Sequence, residues 1–221
     1  MWVNLLRILD CCGGMLEKKS SEHRPTPTDL ARKWMSWLLE PLASLINRTG
    51  ISPNLLTVIG FVLTVGVAYV LATGHLQIGG VLLTVAGTFD ALDGTVARLA
   101  GRKSRFGAFL DSTVDRLSEA VLFLGLLVHY TQQGGRQESF LIYATIVGSL
   151  MVSYARARAE GLGIECKRGI LTRFERTVVL VVGLILDQML IALWIMAVLS
   201  NFTALQRVYH VWRATGGEKG G

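Results

Sequence analysis

The chain has 221 residues, of which 51% are hydrophobic and only 17% charged, with a formal net charge of +6. So few charges cannot coat a water-soluble surface, and the composition excludes disordered and fibrous classes. Long apolar runs fill most of residues 54–210, each near the roughly 20 residues that a helix needs to cross a bilayer.

Met1 to Leu9 is too short for a secretory leader and runs at once into a polar stretch, so residues 1–28 are expected to form a cytoplasmic tail. From Asp29 onward Leu30, Trp34, Trp37, Leu38, Leu42 and Leu45 alternate with Arg32, Lys33 and Arg48. This pattern over residues 29–50 predicts a basic amphipathic helix lying in the headgroup layer, although packing on the rim of a helical bundle would give the same pattern. All four prolines precede residue 54, so straight spans are expected behind them.

The predicted spans cover about Asn54 to Thr73, Leu76 to Leu99, Phe109 to Tyr130 and Phe140 to Ala159. The apolar run from Phe174 to about Val211 is too long for one span and is expected to break at Asp187-Gln188. The predicted fold is an all-α membrane protein with about six transmembrane helices in residues 51–213, an interfacial helix before them and a short tail over 214–221. Every lysine and arginine except Arg136 then falls on one side, which predicts both termini in the cytoplasm. The basic side faces anionic lipid, and no nucleic-acid-binding motif is present. Cys11, Cys12 and Cys166 fall on the reducing side and are too few for a disulfide framework.

Asp90, Asp93, Asp111 and Asp115 stand in or at the ends of apolar helices, where an ionised carboxylate is costly. The pairs are spaced i, i+3 and i, i+4, so each projects from one helix face. A short polar connection from Leu99 to Phe106 predicts a hairpin that brings the pairs together near the cytoplasmic interface. Four acids so close require a bound counter-charge, and all-oxygen ligands select Mg²⁺ or Mn²⁺ over zinc. Gly94, Ala97 and Gly107 lie beside the acidic faces, where small residues let a ligand reach the backbone, and Arg98 offers a guanidinium to a phosphate. Small residues also let membrane helices pack closely, which is the competing explanation.

The run Asp90-Ala-Leu-Asp93-Gly94-Thr-Val-Ala97-Arg98, eight residues, then Gly107-Ala-Phe-Leu-Asp111-Ser-Thr-Val-Asp115 resembles the complete signature of the CDP-alcohol phosphatidyltransferases. The resemblance extends from Pro53 to about Arg176. It implies six transmembrane helices, a homodimer, and two divalent ions per active site, Mg²⁺ or Mn²⁺, held by Asp90, Asp93, Asp111 and Asp115. It also implies contacts to the CDP-lipid from Pro53, Asn54, Leu55, Leu56, Thr57, Gly94, Ala97, Arg98, Ser104 and Gly107. The expected reaction is in-line transfer of a phosphatidyl group from CDP-diacylglycerol, or its ether-lipid equivalent, to an alcohol with release of CMP. Asp115 is the candidate general base. The site is expected at the cytoplasmic face of the membrane, where an acylated substrate meets a soluble one.

Asp111-Ser-Thr-Val-Asp115-Arg116 and the segment from Ser153 to Gly161 are similar to the branch that uses inositol phosphate. A small phosphorylated acceptor needs cations, and Arg116, Arg156, Arg158 and Arg176 are the candidates; the competing role for them is as positive-inside anchors. Glycerol-3-phosphate is the second choice of acceptor, giving phosphatidylglycerophosphate. A divalent-cation transporter using the same acids is the remote third reading, disfavoured because the acids gather at one end and no second similar half exists.

Overall fold

A computed structural model describes residues 52–99, 104–166 and 169–216, with the side chains of Pro53 and of residues 89–99 outside the description. The tail over 1–28, the amphipathic helix over 29–50, Cys11, Cys12 and the last five residues lie outside it too. The described residues form six helices: α1 (Pro53–Ala72), α2 (Leu76–Leu99), α3 (Arg105–Gln132), α4 (Arg136–Gly161), α5 (Arg173–Ile185) and α6 (Met189–Thr215).

Their limits follow from local chemistry. Ser52 caps α1, its Oγ accepting from Leu55 N at 3.3 Å, and Pro53 stands in the first turn, where its missing N–H is not needed. Ser104 caps α3, with Oγ accepting from Gly107 N at 2.8 Å. At the start of α5 the Glu175 carboxylate accepts from Thr172 N. The expected break in the last apolar run is present: Asp187 has φ 56°, a left-handed turn that aspartate tolerates better than most residues, between Ile185 and Met189.

Three helical segments, Asn54–Ala72, Arg136–Gly161 and Met189–Thr215, are long and apolar enough to cross a membrane. Among the described residues of the other helices, Leu76–Thr88 is an apolar stretch of α2, which continues through Asp90, Asp93 and Arg98 to Leu99. The first half of α3 carries Arg105, Asp111, Asp115, Arg116 and Glu119. With 13 residues, α5 is only about 20 Å long at 1.5 Å per residue, against a hydrocarbon core of about 30 Å.

The main helix contacts run α1 to α2, α2 to α5, α5 to α6, α6 to α4, α4 to α3 and α3 back to α1, which closes a ring. Every helix adds to the core: Leu71, Leu83, Phe123, Ile142, Leu184 and Leu193 are all buried, one from each helix in chain order. In lipid the gain comes from close packing and not from excluding water, so small residues matter at the contacts. A Cβ on Gly125 of α3 would lie 2.3 Å from Ala68 O of α1, and one on Gly148 of α4 would lie 2.9 Å from Ser200 Cβ of α6. Outward, Val62, Tyr69, Phe109, Phe140, Leu205 and Trp212 are well exposed. Such a coat would aggregate in water and suits contact with lipid.

Candidate active site

The two acid-bearing helices both pack on α1. Asp90, Asp93, Gly94, Ala97 and Arg98 occupy the C-terminal part of α2, and their side chains lie outside the described residues, as does the connection over 100–103. The site is therefore in view through α1, α3 and α5. On α3, Asp111 is exposed and Asp115 half-buried one turn further on. Glu119 continues the same stripe by four more residues, which sequence reasoning passed over although the spacing signals it.

Two arginines from the start of α5 face this stripe. Arg173 Nη1 lies 2.6 Å from Asp115 Oδ2. One turn later Arg176 donates from Nε to Glu119 Oε1 at 2.7 Å and from Nη2 to Oε2 at 3.0 Å, while its Nη1 donates to Leu171 O at 3.3 Å. Arg176 is 3% exposed, so three of its donors are engaged within the protein. Cations in the first turn of a helix oppose the macrodipole, so these arginines do not serve α5 itself; the carboxylates of α3 offset that cost. Arg173 was absent from the predicted set. Its signal was its place next to the Thr172 cap, on the same short helix as Arg176.

The other expected acceptor cations are dispersed. Arg116 donates to Ser112 O on its own helix. Arg156 pairs with Glu160 at 2.8 Å near the end of α4, with both side chains about half exposed, and Arg158 is exposed. Arg156 and Arg176 are near enough to act electrostatically on Arg207 of α6.

The expected CDP-lipid contacts partly converge. A Cβ on Gly107 would lie 3.0 Å from Asn54 Oδ1 and 2.9 Å from Ser104 Oγ, so the starts of α1 and α3 meet where position 107 has no side chain. Beyond Asn54, Leu55 is half-exposed, Leu56 is partly buried, and Thr57 is buried.

Residues 50–209 match the model of the CDP-alcohol phosphatidyltransferases. The chain belongs to this family. It is 38% identical to an archaetidylinositol phosphate synthase of Pyrococcus horikoshii over 172 residues, covering 77% of this chain and 89% of that protein. Against a phosphatidylinositol phosphate synthase of Corynebacterium glutamicum it is 38% identical over 187 residues, 80% of this chain and 85% of the other. The crystal structure of the Mycobacterium tuberculosis phosphatidylinositol phosphate synthase with CDP-DAG bound is similar at TM-score 0.75 and 31% identity, covering 79% of this chain and 93% of that one. The same enzyme in complex with manganese and citrate gives the same TM-score and identity. This chain is thus a membrane transferase of phospholipid biosynthesis that takes a CDP-lipid and an alcohol, and the transporter reading is set aside.

Proposed function

We propose that the chain transfers a phosphatidyl or ether-lipid phosphatidyl group from a CDP-lipid to a hydroxyl of inositol phosphate and releases CMP. The observation that carries this reading is the acidic stripe of α3 faced by the arginines of α5, set in a family whose similar members include inositol-phosphate-using synthases.

The carboxylates fit a hard divalent cation. Asp111 and Asp115 share one face of α3 and offer oxygen donors only, and the family signature adds Asp90 and Asp93. Mg²⁺ or Mn²⁺ held by these four aspartates would supply charge neutralisation at the pyrophosphate. Asp115 takes the proton from the acceptor hydroxyl as that oxygen attacks the lipid-side phosphorus. The bond from phosphorus to the CMP oxygen breaks, and CMP leaves with its electron pair. Arg173, 2.6 Å away, orients Asp115, and with its side chain 40% exposed it can move toward an arriving anion at little cost. Asn54, Ser104 and Gly107 form the donor's end of the site, with Pro53, Leu55, Leu56, Thr57, Gly94, Ala97 and Arg98 completing it. Arg156 and Arg158 carry the acceptor phosphate, and Arg116 and Arg176 support the carboxylate side. All six helices span or enter the bilayer with both termini cytoplasmic, a topology supported by the lone position of Arg136 among the basic residues.

The test offers purified protein, CDP-diacylglycerol and Mg²⁺ a panel of inositol phosphate, glycerol-3-phosphate, inositol and serine, with CMP release as the readout. Inositol phosphate should be preferred by at least about ten-fold, the discrimination that one charge-assisted contact supplies. A preference for glycerol-3-phosphate would reject the alcohol and keep the phosphate pocket. Equal use of inositol and inositol phosphate would reject both.

A further inference from the structure

Near the end of α4, Arg156 Nε lies 2.8 Å from Glu160 Oε1, and the two side chains are 50% and 49% exposed. Helix stability does not account for this pair. Glu160 stands in the last turn of α4, which ends at Gly161, so its charge opposes the helix dipole. The order is also the weaker one, because an i, i+4 pair is more favourable with the acid N-terminal to the base. A carboxylate at position 160 therefore costs the helix slightly, and its role lies elsewhere.

The surroundings of Glu160 are basic. Arg156, Arg176 and Glu160 all act electrostatically on the Arg207 guanidinium, so cations of α4, α5 and α6 gather at this end of the bundle with Glu160 among them. Arg176 has its own carboxylate, Glu119, which it grips through two donors while only 3% exposed. Arg156 differs. Its partner comes from its own helix, both side chains are exposed, and such a pair holds its members weakly. We propose that Glu160 is a positioning residue: it holds Arg156 where the acceptor's phosphate binds and gives the guanidinium up when that phosphate arrives. The exchange replaces one anion by another at the same guanidinium, and no covalent bond is made or broken. A phosphomonoester carries roughly two negative charges at neutral pH, against one on Glu160, so the phosphate wins the exchange. The inference rests on the reading of Arg156 as a ligand of the acceptor's phosphate.

The test uses the full-length protein in detergent with CDP-diacylglycerol and Mg²⁺, and inorganic phosphate as a competing anion. Glu160→Gln keeps the volume and removes the charge. It should lower KM for inositol phosphate and Ki for inorganic phosphate by about three-fold or more each, the scale of an exposed ion pair. KM for the CDP-lipid should stay within about two-fold, and Tm should not fall. In an Arg156→Ala background the same change should lower neither constant by more than about 1.5-fold, because the guanidinium it would release is gone. Unchanged KM and Ki in Glu160→Gln would overturn the inference. So would a rise in both, which would make Glu160 a ligand of the acceptor. A lower Tm with both substrate KM values shifting together would mark a helix-stabilising pair and overturn it too. An undiminished effect in the Arg156→Ala background would trace it to the general field of a lost negative charge, and the positioning role would fall. A wild-type preference for an unphosphorylated alcohol would reject the proposed acceptor, while Ki for inorganic phosphate, measured against that alcohol, still decides whether Glu160 holds Arg156 against an anion.

Discussion

Replacing Arg176 by methionine should be among the most damaging single changes outside the aspartates. Methionine fills the volume but removes two hydrogen bonds to Glu119 and one to Leu171 O, and it strands a carboxylate that is only 17% exposed. Removing one partner of a buried ion pair costs about 3–5 kcal/mol, whereas replacing both with apolar residues is often close to neutral. For a chain of this size 3 kcal/mol corresponds to a fall in Tm of roughly 6–12 °C. Arg176→Met should therefore show that fall in detergent, and the double variant Arg176→Met, Glu119→Leu should regain most of it. The assay is thermal loss of helical circular dichroism across the four members of the cycle. A coupling of at least about 2 kcal/mol is expected, and single effects that add to within about 0.5 kcal/mol would refute a working pair.

Asp111→Asn should abolish CMP release and weaken Mg²⁺ binding in a protein that still folds; near-normal turnover, in the variant or in excess chelator, would remove the metal from the proposal. Asp115→Asn should lower kcat far more than it weakens CDP-lipid binding, and a variant that merely fails to bind donor would make Asp115 a ligand and not a base. Arg156→Ala or Arg158→Ala should raise KM for inositol phosphate about ten-fold with the CDP-lipid KM unmoved, and equal changes in both would place these residues outside the acceptor pocket. Gly125→Ala puts a methyl 2.3 Å from Ala68 O and should destabilise by about 1–3 kcal/mol through overpacking, whereas Gly66→Ala meets nothing within 4 Å and should leave Tm unchanged.

What the sequence by itself determined is local or compositional. Asp187-Gln188 inside an apolar run marked a helix end, because turn formation involves only neighbouring residues, whereas the caps at Ser52 and Ser104 appear in the structure and start the third helix at Arg105, ahead of the expected Phe109. The paired aspartates were legible for the same reason, since helical spacing alone puts Asp111 and Asp115 on one face. The partners of the arginines were decided by the tertiary structure. Arg176 and Glu119 are separated by 57 residues, and Arg207 and Val152 by 55, and each meeting depends on how the six helices close their ring. An arginine's neighbours in sequence carry no record of which distant carboxylate or carbonyl it will reach. Arg176 thus read as an open anion receptor until packing placed Glu119 against it, and Arg173 gained its role only when the start of α5 was set beside α3.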